Sequence, residues 1–219
     1  MSALLSLDQQ SQRMPLRWPD VGAWLLVAGW VVVVTAGSAG LQTYKARAGA
    51  SPDKIARVPG ELLTEQNARG CTLVMFAHPQ CACTRASLNE LAVLLARNPN
   101  LAPAKVVFSA PTGSDASWRE SDLVMQAEGL SGVQVQWDTN QRLADELGIR
   151  TSGQVVLFDR KGEVLFTGGV TTLRGHEGWS NGHNAILAAS RGEVASASST
   201  PVFGCSLHAV STAAQEAAR

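Results

Sequence analysis

Apolar positions along this chain are spaced in three different ways, and each spacing predicts a different kind of structure. Between Val21 and Gln42 no residue is charged. Trp24, Trp30 and the valine block 31–34 sit inside this run. It is as long as the roughly 20 residues a helix needs to cross a bilayer core. From about 61 to 191 short apolar runs alternate with stretches of helical spacing. The runs 71–77, 105–109, 133–137, 154–158 and 163–167 read as strands. The stretches 82–97, about 117–129, 139–147 and about 182–191 read as helices. Asp138 and Thr139 are placed to cap the third of these and Gly148 to end it. Asp159, Arg160, Lys161 and Gly162 lie between two apolar runs and read as a hairpin turn. The order predicts an α/β domain whose central sheet is largely parallel, covered on both faces, with an antiparallel hairpin at one side.

The remaining stretches fall outside this pattern. Residues 1–20 are polar and read as unstructured. Residues 21–42 are a transmembrane anchor or a signal segment, 43–60 a linker, 61–191 the domain and 192–219 a tail. The tail is rich in Ala and Ser and carries one apolar island at 201–207. Gly37, Ser38 and Ala39 would suit a signal cleavage site, but the apolar run is long for a signal peptide and favours an uncleaved anchor. Lys45, Arg47, Lys54 and Arg57 outnumber Arg13 and Arg17 across the apolar run. Counted alone, they place the domain in the cytoplasm. The small residues and the thiol motif described next argue for export. The expectation is a single-pass inner-membrane protein with its domain on the periplasmic side.

Charge narrows the partners. Eighteen Lys and Arg balance eighteen Asp and Glu, so nothing points to nucleic acid. Four cysteines are too few for a disulfide framework at this length, and their clustering points to chemistry instead. Cys81-Ala82-Cys83-Thr84 sits where the run 71–77 hands over to the helix 82–97. A helix N-terminus carries unpaired N–H groups and a partial positive charge. Both favour the thiolate, the reactive nucleophile and metal ligand. Cys83 is a candidate resolving thiol, although residues two apart on a helix do not face each other. Thr84 is placed to hydrogen-bond the Cys81 sulfur. Cys205, in the apolar island, is a second candidate resolving thiol, and Cys71 reads as a core cysteine. His78 with Cys81 and Cys83 is an alternative ligand set for a soft ion such as Cu(I). Arg174, His176 and His183, in and beyond a glycine-rich loop, are further groups able to reach the thiols.

Two stretches carry a resemblance. Residues 73–81 open a helix on a cysteine, and residues 147–166 hold Thr151-Ser152-Gly153-Gln154 followed by a hairpin. Together they resemble the thioredoxin superfamily over about 65–190. HPQCACTRAS with TSGQVVLFD, RGHEG and VFGC is more narrowly similar to the RedB-like bacterial branch. The resemblance implies a thioredoxin-like fold, a central mixed sheet flanked by helices, behind the N-terminal transmembrane helix. It implies thiol–disulfide exchange with cysteine-containing proteins, without a cofactor. Cys81 falls at the nucleophile position and Thr84 at the usual resolving position. Gly153 replaces the expected cis-proline, and Gly153 and Gln154 would present backbone to an extended substrate. A copper-handling module on the same fold is the alternative. A peroxiredoxin-like peroxide reductase is another, although His78 stands where its threonine would be.

Overall fold

The computed structural model describes residues 21–208 except 53, 54, 56, 57, 64–69, 112 and 115. The predicted polar segment 1–20 and the last part of the tail lie outside the described residues. The chain divides into two units, Met1–Gln42 and Thr43–Arg219. The first contains most of helix α1 (Val21–Ala46), which has no buried residue and is long and apolar enough to cross a membrane.

The second unit holds a five-stranded sheet. Its strands are β1 (Thr72–Ala77), β2 (Ala104–Ala110), β3 (Val133–Thr139), β4 (Gln154–Phe158) and β5 (Val164–Gly169). Their order in space is β3-β2-β1-β4-β5. The first three pair in parallel, while β4 and β5 run antiparallel. Strand β1 shows why its whole run is apolar. Side chains alternate between faces, so Leu73, Met75 and Ala77 enter one core and Val74 and Phe76 the other. The first core is closed by α2 (Ala82–Arg97), α4 (Asp122–Glu128) and α6 (Asn181–Ser190) through Leu88, Leu91, Val124 and Ile186. The second is closed by α5 (Arg142–Leu147) and by Leu62 and Leu207. Each such side chain contributes about 1.5–3 kcal/mol when fully buried. Strand β1 therefore holds a rigid, doubly covered position, and its C-terminal end delivers the chain to Cys81.

Three expectations are corrected. The helix expected at 117–129 is two, α3 (Ala116–Arg119) and α4, because Ser121 turns extended and caps the second. Its hydroxyl accepts from the Val124 N–H at 3.3 Å. The helix expected from 139 begins at Arg142, since Thr139 ends β3 and Asn140 and Gln141 take φ of 56° and 58°. Asp138 still serves this helix, its carboxylate accepting from Leu143 and Ala144 N–H at 2.9 Å each. Finally, the stretch expected to be a free linker is part of the folded unit. Gly49 N–H donates to the Val202 carbonyl at 2.8 Å, Ala50 carbonyl accepts from the Thr151 hydroxyl at 2.6 Å, and Val58 is buried.

The C-terminal tail is docked as well. The Thr167 N–H donates to Ser198 at 3.1 Å and Thr200 donates back to Thr167 at 3.3 Å, along the outer edge of β5. The chain then crosses to the turn before β4. There Thr151 and Ser206 form an antiparallel bridge and Leu207 N–H donates to the Arg150 carbonyl at 2.8 Å.

Candidate active site

Three remote stretches meet at the start of α2. Cys81 is its N-cap, with extended backbone, and is only 2% exposed. Cys83 follows in the first turn and Cys205 arrives on the tail, both half-buried. The three sulfurs lie within 4.8 Å of one another. All four cysteines are unbridged, and Cys71, at the opposite end of β1, is a core residue.

The surroundings divide labour among the thiols. The Cys81 thiol is pulled down to about 5, chiefly by a hydrogen bond from the Cys205 side chain. Burial opposes this, and the Cys205 main chain and the hydroxyl and main chain of Thr84 add to it. A sulfur ringed by donors is held as thiolate. Cys205 is pushed far up, first by the hydrogen bond it donates to Cys81 and then by burial. Cys83 is pushed up by burial and by the neighbouring Cys81 charge, with Arg174 partly offsetting both. The site thus holds one thiolate beside two protonated thiols.

Thr84 is wholly buried in the first turn of α2. Its hydroxyl stands 2.7 Å from the Ser152 hydroxyl and 3.2 Å from the His78 carbonyl. Ser152 in turn accepts from the His78 N–H at 2.9 Å. His78 belongs to the wall of the site. Its Nδ1 accepts from the Gln80 N–H at 3.1 Å and its ring meets Trp118 edge-on at 4.9 Å. Burial pushes it down, toward the neutral form, with the Cys81 charge acting the other way. Among the described residues, the three side chains close enough to share one metal ion include Cys205 where the expected set had His78.

Gly153 and Gln154 flank the site but their main chains are engaged within the domain. Gly153 has φ of 86° and its N–H donates to the Phe76 carbonyl at 2.7 Å. A β-carbon on it would meet the Ser87 hydroxyl at 2.6 Å. Gln154 is buried within β4, between Phe76 and Gly169. The N–H that reaches the tail belongs to Ser152, which donates to the Cys205 carbonyl at 2.9 Å. Ser152 was not singled out by the sequence, and its only signal is its place before a glycine in the turn leading to β4.

Of the loop residues only Arg174 acts on the thiols. Its side chain donates to the carbonyls of Gly204 and Arg47 and lies over the Tyr44 ring at 5.1 Å. His176 bonds back to the Arg174 carbonyl at 3.1 Å. His183 is buried against Glu90 at 3.1 Å and stacked on Trp179, part of the capping of α6.

The architecture is the thioredoxin-like fold, with the thiol pair at the β1–α2 junction. No protein-family model and no curated protein matches the chain. Among solved structures, a hypothetical protein, SMc02350, from Sinorhizobium meliloti 1021 is similar, with a TM-score of 0.58 and 16% identity. The match covers 74% of this chain and 97% of that one. An uncharacterized conserved protein from Geobacillus kaustophilus gives a TM-score of 0.54 and 17% identity, covering 76% of this chain and 94% of the other. A pneumococcal exposed lipoprotein thioredoxin (Etrx1) from Streptococcus pneumoniae strain TIGR4 follows at a TM-score of 0.40 and 20% identity, covering 57% and 87%. The first two share the fold with this chain.

Proposed function

We propose that this chain is a membrane-tethered thiol–disulfide oxidoreductase working on cysteine-containing proteins on the periplasmic side of the inner membrane. One observation carries this: a buried thiolate at a helix N-cap, lowered to about 5, with two protonated thiols within 4.8 Å. The thiolate attacks a disulfide sulfur and a neighbouring thiol resolves the mixed disulfide. Cys81 is the nucleophile. Cys83 and Cys205 are the candidate resolvers, and Thr84 holds the thiolate. The helix Val21–Ala46 supplies the tether.

The test is a redox titration of the full chain in detergent, read by intact mass after thiol trapping. A two-electron couple is expected, lost in Cys81→Ser and in one of Cys83→Ser and Cys205→Ser. Loss in the former variant identifies a C-x-C disulfide, loss in the latter a bridge to the tail.

A second reading has its own observation. Three sulfurs at this separation suit a soft monovalent ion such as Cu(I). Cys81, Cys83 and Cys205 would hold it. No two-electron couple, together with one copper per chain that is lost in the same variants, would replace the first reading with this one.

A further inference from the structure

Cys81 is 2% exposed, yet a nucleophile for other proteins' disulfides has to be reached. The tail is what stands before it. The Cys205 side chain and main chain both bond to its sulfur. The tail holds this place as a strand would. Ser152 N–H donates to the Cys205 carbonyl at 2.9 Å, Leu207 N–H donates to the Arg150 carbonyl at 2.8 Å, and Thr151 bridges Ser206. Val202 and Leu207, both about 1% exposed, anchor the two ends. Between them Gly204 fits because it lacks a side chain. A β-carbon there would stand 1.9 Å from the Ser152 carbonyl oxygen and 3.3 Å from the Thr151 methyl.

We propose that residues 202–207 act as a tethered pseudosubstrate on the edge formed by Arg150, Thr151 and Ser152, and that the polypeptide displacing them carries glycine immediately before its cysteine. In this structure residues 202–207 of the chain fill that site, as a tethered competitor that the substrate displaces. The inference rests on the oxidoreductase reading and names the substrate class of the same site. Main-chain pairing supplies the affinity of such a site and the side-chain clearances supply selectivity. The clearance at Gly204 is the most restrictive one here, and it fixes the residue before the cysteine. In the reaction the substrate's sulfur takes the place of the Cys205 sulfur. The Cys81 thiolate attacks it, the new S–S bond forms, the substrate's own disulfide breaks, and the departing sulfur leaves as a thiolate with the electron pair.

The test uses the full chain in detergent and two synthetic nonapeptides. One has the sequence of residues 199–207 with its cysteine bridged to 5-thio-2-nitrobenzoate. The other differs only in valine for the glycine. Release of the coloured thiolate is followed under single-turnover conditions in the wild type, Gly204→Ala, Arg174→Gln and Cys81→Ser. Hydrogen exchange at the Ser152 and Leu207 amides reports whether the tail has left. The glycine peptide should react at least about tenfold faster than the valine peptide, the factor that one lost buried hydrogen bond is worth. Gly204→Ala should speed the glycine peptide by a similar factor, and Arg174→Gln, which frees the Gly204 carbonyl, should do so if the alanine variant does not fold. Equal rates for both peptides overturn the glycine requirement. An undocked tail that leaves the rate unchanged or lower shows that the tail does not compete with the peptide and overturns the displacement. Both results leave the oxidoreductase reading standing as long as the Cys81-dependent couple persists, and loss of that couple overturns the reading itself.

Discussion

The hydroxyls of Thr84 and Ser152 stand 2.7 Å apart, joining the first turn of α2 to the turn before β4 across 68 residues of sequence. Ser152 already accepts from the His78 N–H. Thr84 donates its one proton to the His78 carbonyl or the Cys81 sulfur and so accepts from Ser152. Removing the Thr84 hydroxyl orphans a buried donor. Thr84→Val should cost about 1–3 kcal/mol of stability and raise the Cys81 titration midpoint. Thr84→Ser should restore most of both. Urea denaturation together with thiolate absorbance at 240 nm checks this, and an unchanged midpoint in the valine variant would separate Thr84 from the thiolate.

The pH dependence follows from Cys81. Its folded value is lowered to about 5, against an ordinary thiol value of about 8.5. Between these limits the unfolded chain binds the extra proton, so stability of the reduced protein rises with pH. The contribution is fully present above about 8.5 and disappears as pH falls through about 5. Cys83 and Cys205 are raised, so they work against stability above the ordinary value. The reduced protein should be most stable near the ordinary thiol value. Cys81→Ser should flatten the rise between the two limits. Cys205→Ala, which removes the largest cause of the lowering, should move the 240 nm midpoint up by at least about one unit. Identical midpoints in Cys205→Ala and the wild type would remove Cys205 from the role given to it.

Gly153 invites the substitution that would restore the expected proline. The geometry opposes it. Proline requires φ near −65° and has no N–H, whereas Gly153 sits at 86° and donates to Phe76 at 2.7 Å. Gly153→Pro should therefore destabilise by about 3 kcal/mol or more. Gly153→Ala should cost less, since only the Ser87 hydroxyl and the backbone strain oppose it. Combining it with Ser87→Gly should recover the steric part alone. Thermal melts of the three variants decide this, and a Gly153→Pro protein as stable as the wild type would refute the conformation described.

The sheet and the thiol at the helix start were legible because they depend on local pattern. Apolar runs of strand length marked β1 to β5, and a cysteine between a strand and a helical stretch marked Cys81. What could not be read was pairing over long distances. Nothing in the composition of residues 43–60 shows Gly49 bonding Val202, and nothing in an Ala- and Ser-rich tail shows Ser152 receiving Cys205. The break within the helix expected at 117–129 was missed because Ser121 reads equally well as a helix interior or as a cap. The main-chain contact with the tail falls on Ser152, beside Gly153, for a similar reason. A positive φ turns the Gly153 N–H toward β1 and leaves Ser152 at the edge.

Arg174 ties the site to the end of α1, and this gives the last prediction. Its guanidinium donates to the carbonyls of Gly204 and Arg47 and covers Tyr44, while its N–H donates to the Lys45 carbonyl at 3.1 Å. One planar fork thus holds the residue before Cys205 against the chain leaving α1. Arg174→Gln keeps the backbone bond but loses the fork and the ring contact. Amide exchange at Ser152 and Leu207, whose partners are Cys205 and Arg150, should quicken by about tenfold, the equivalent of about 1.4 kcal/mol of local opening. Arg174→Lys keeps the charge but not the geometry and should fall between. Amides of β1, which depend on the core alone, should keep their protection in both variants. A uniform increase across the domain would show general destabilisation instead. An unchanged rate at Ser152 and Leu207 would show that the tail is held by Val202 and Leu207 without help from the turn after α1.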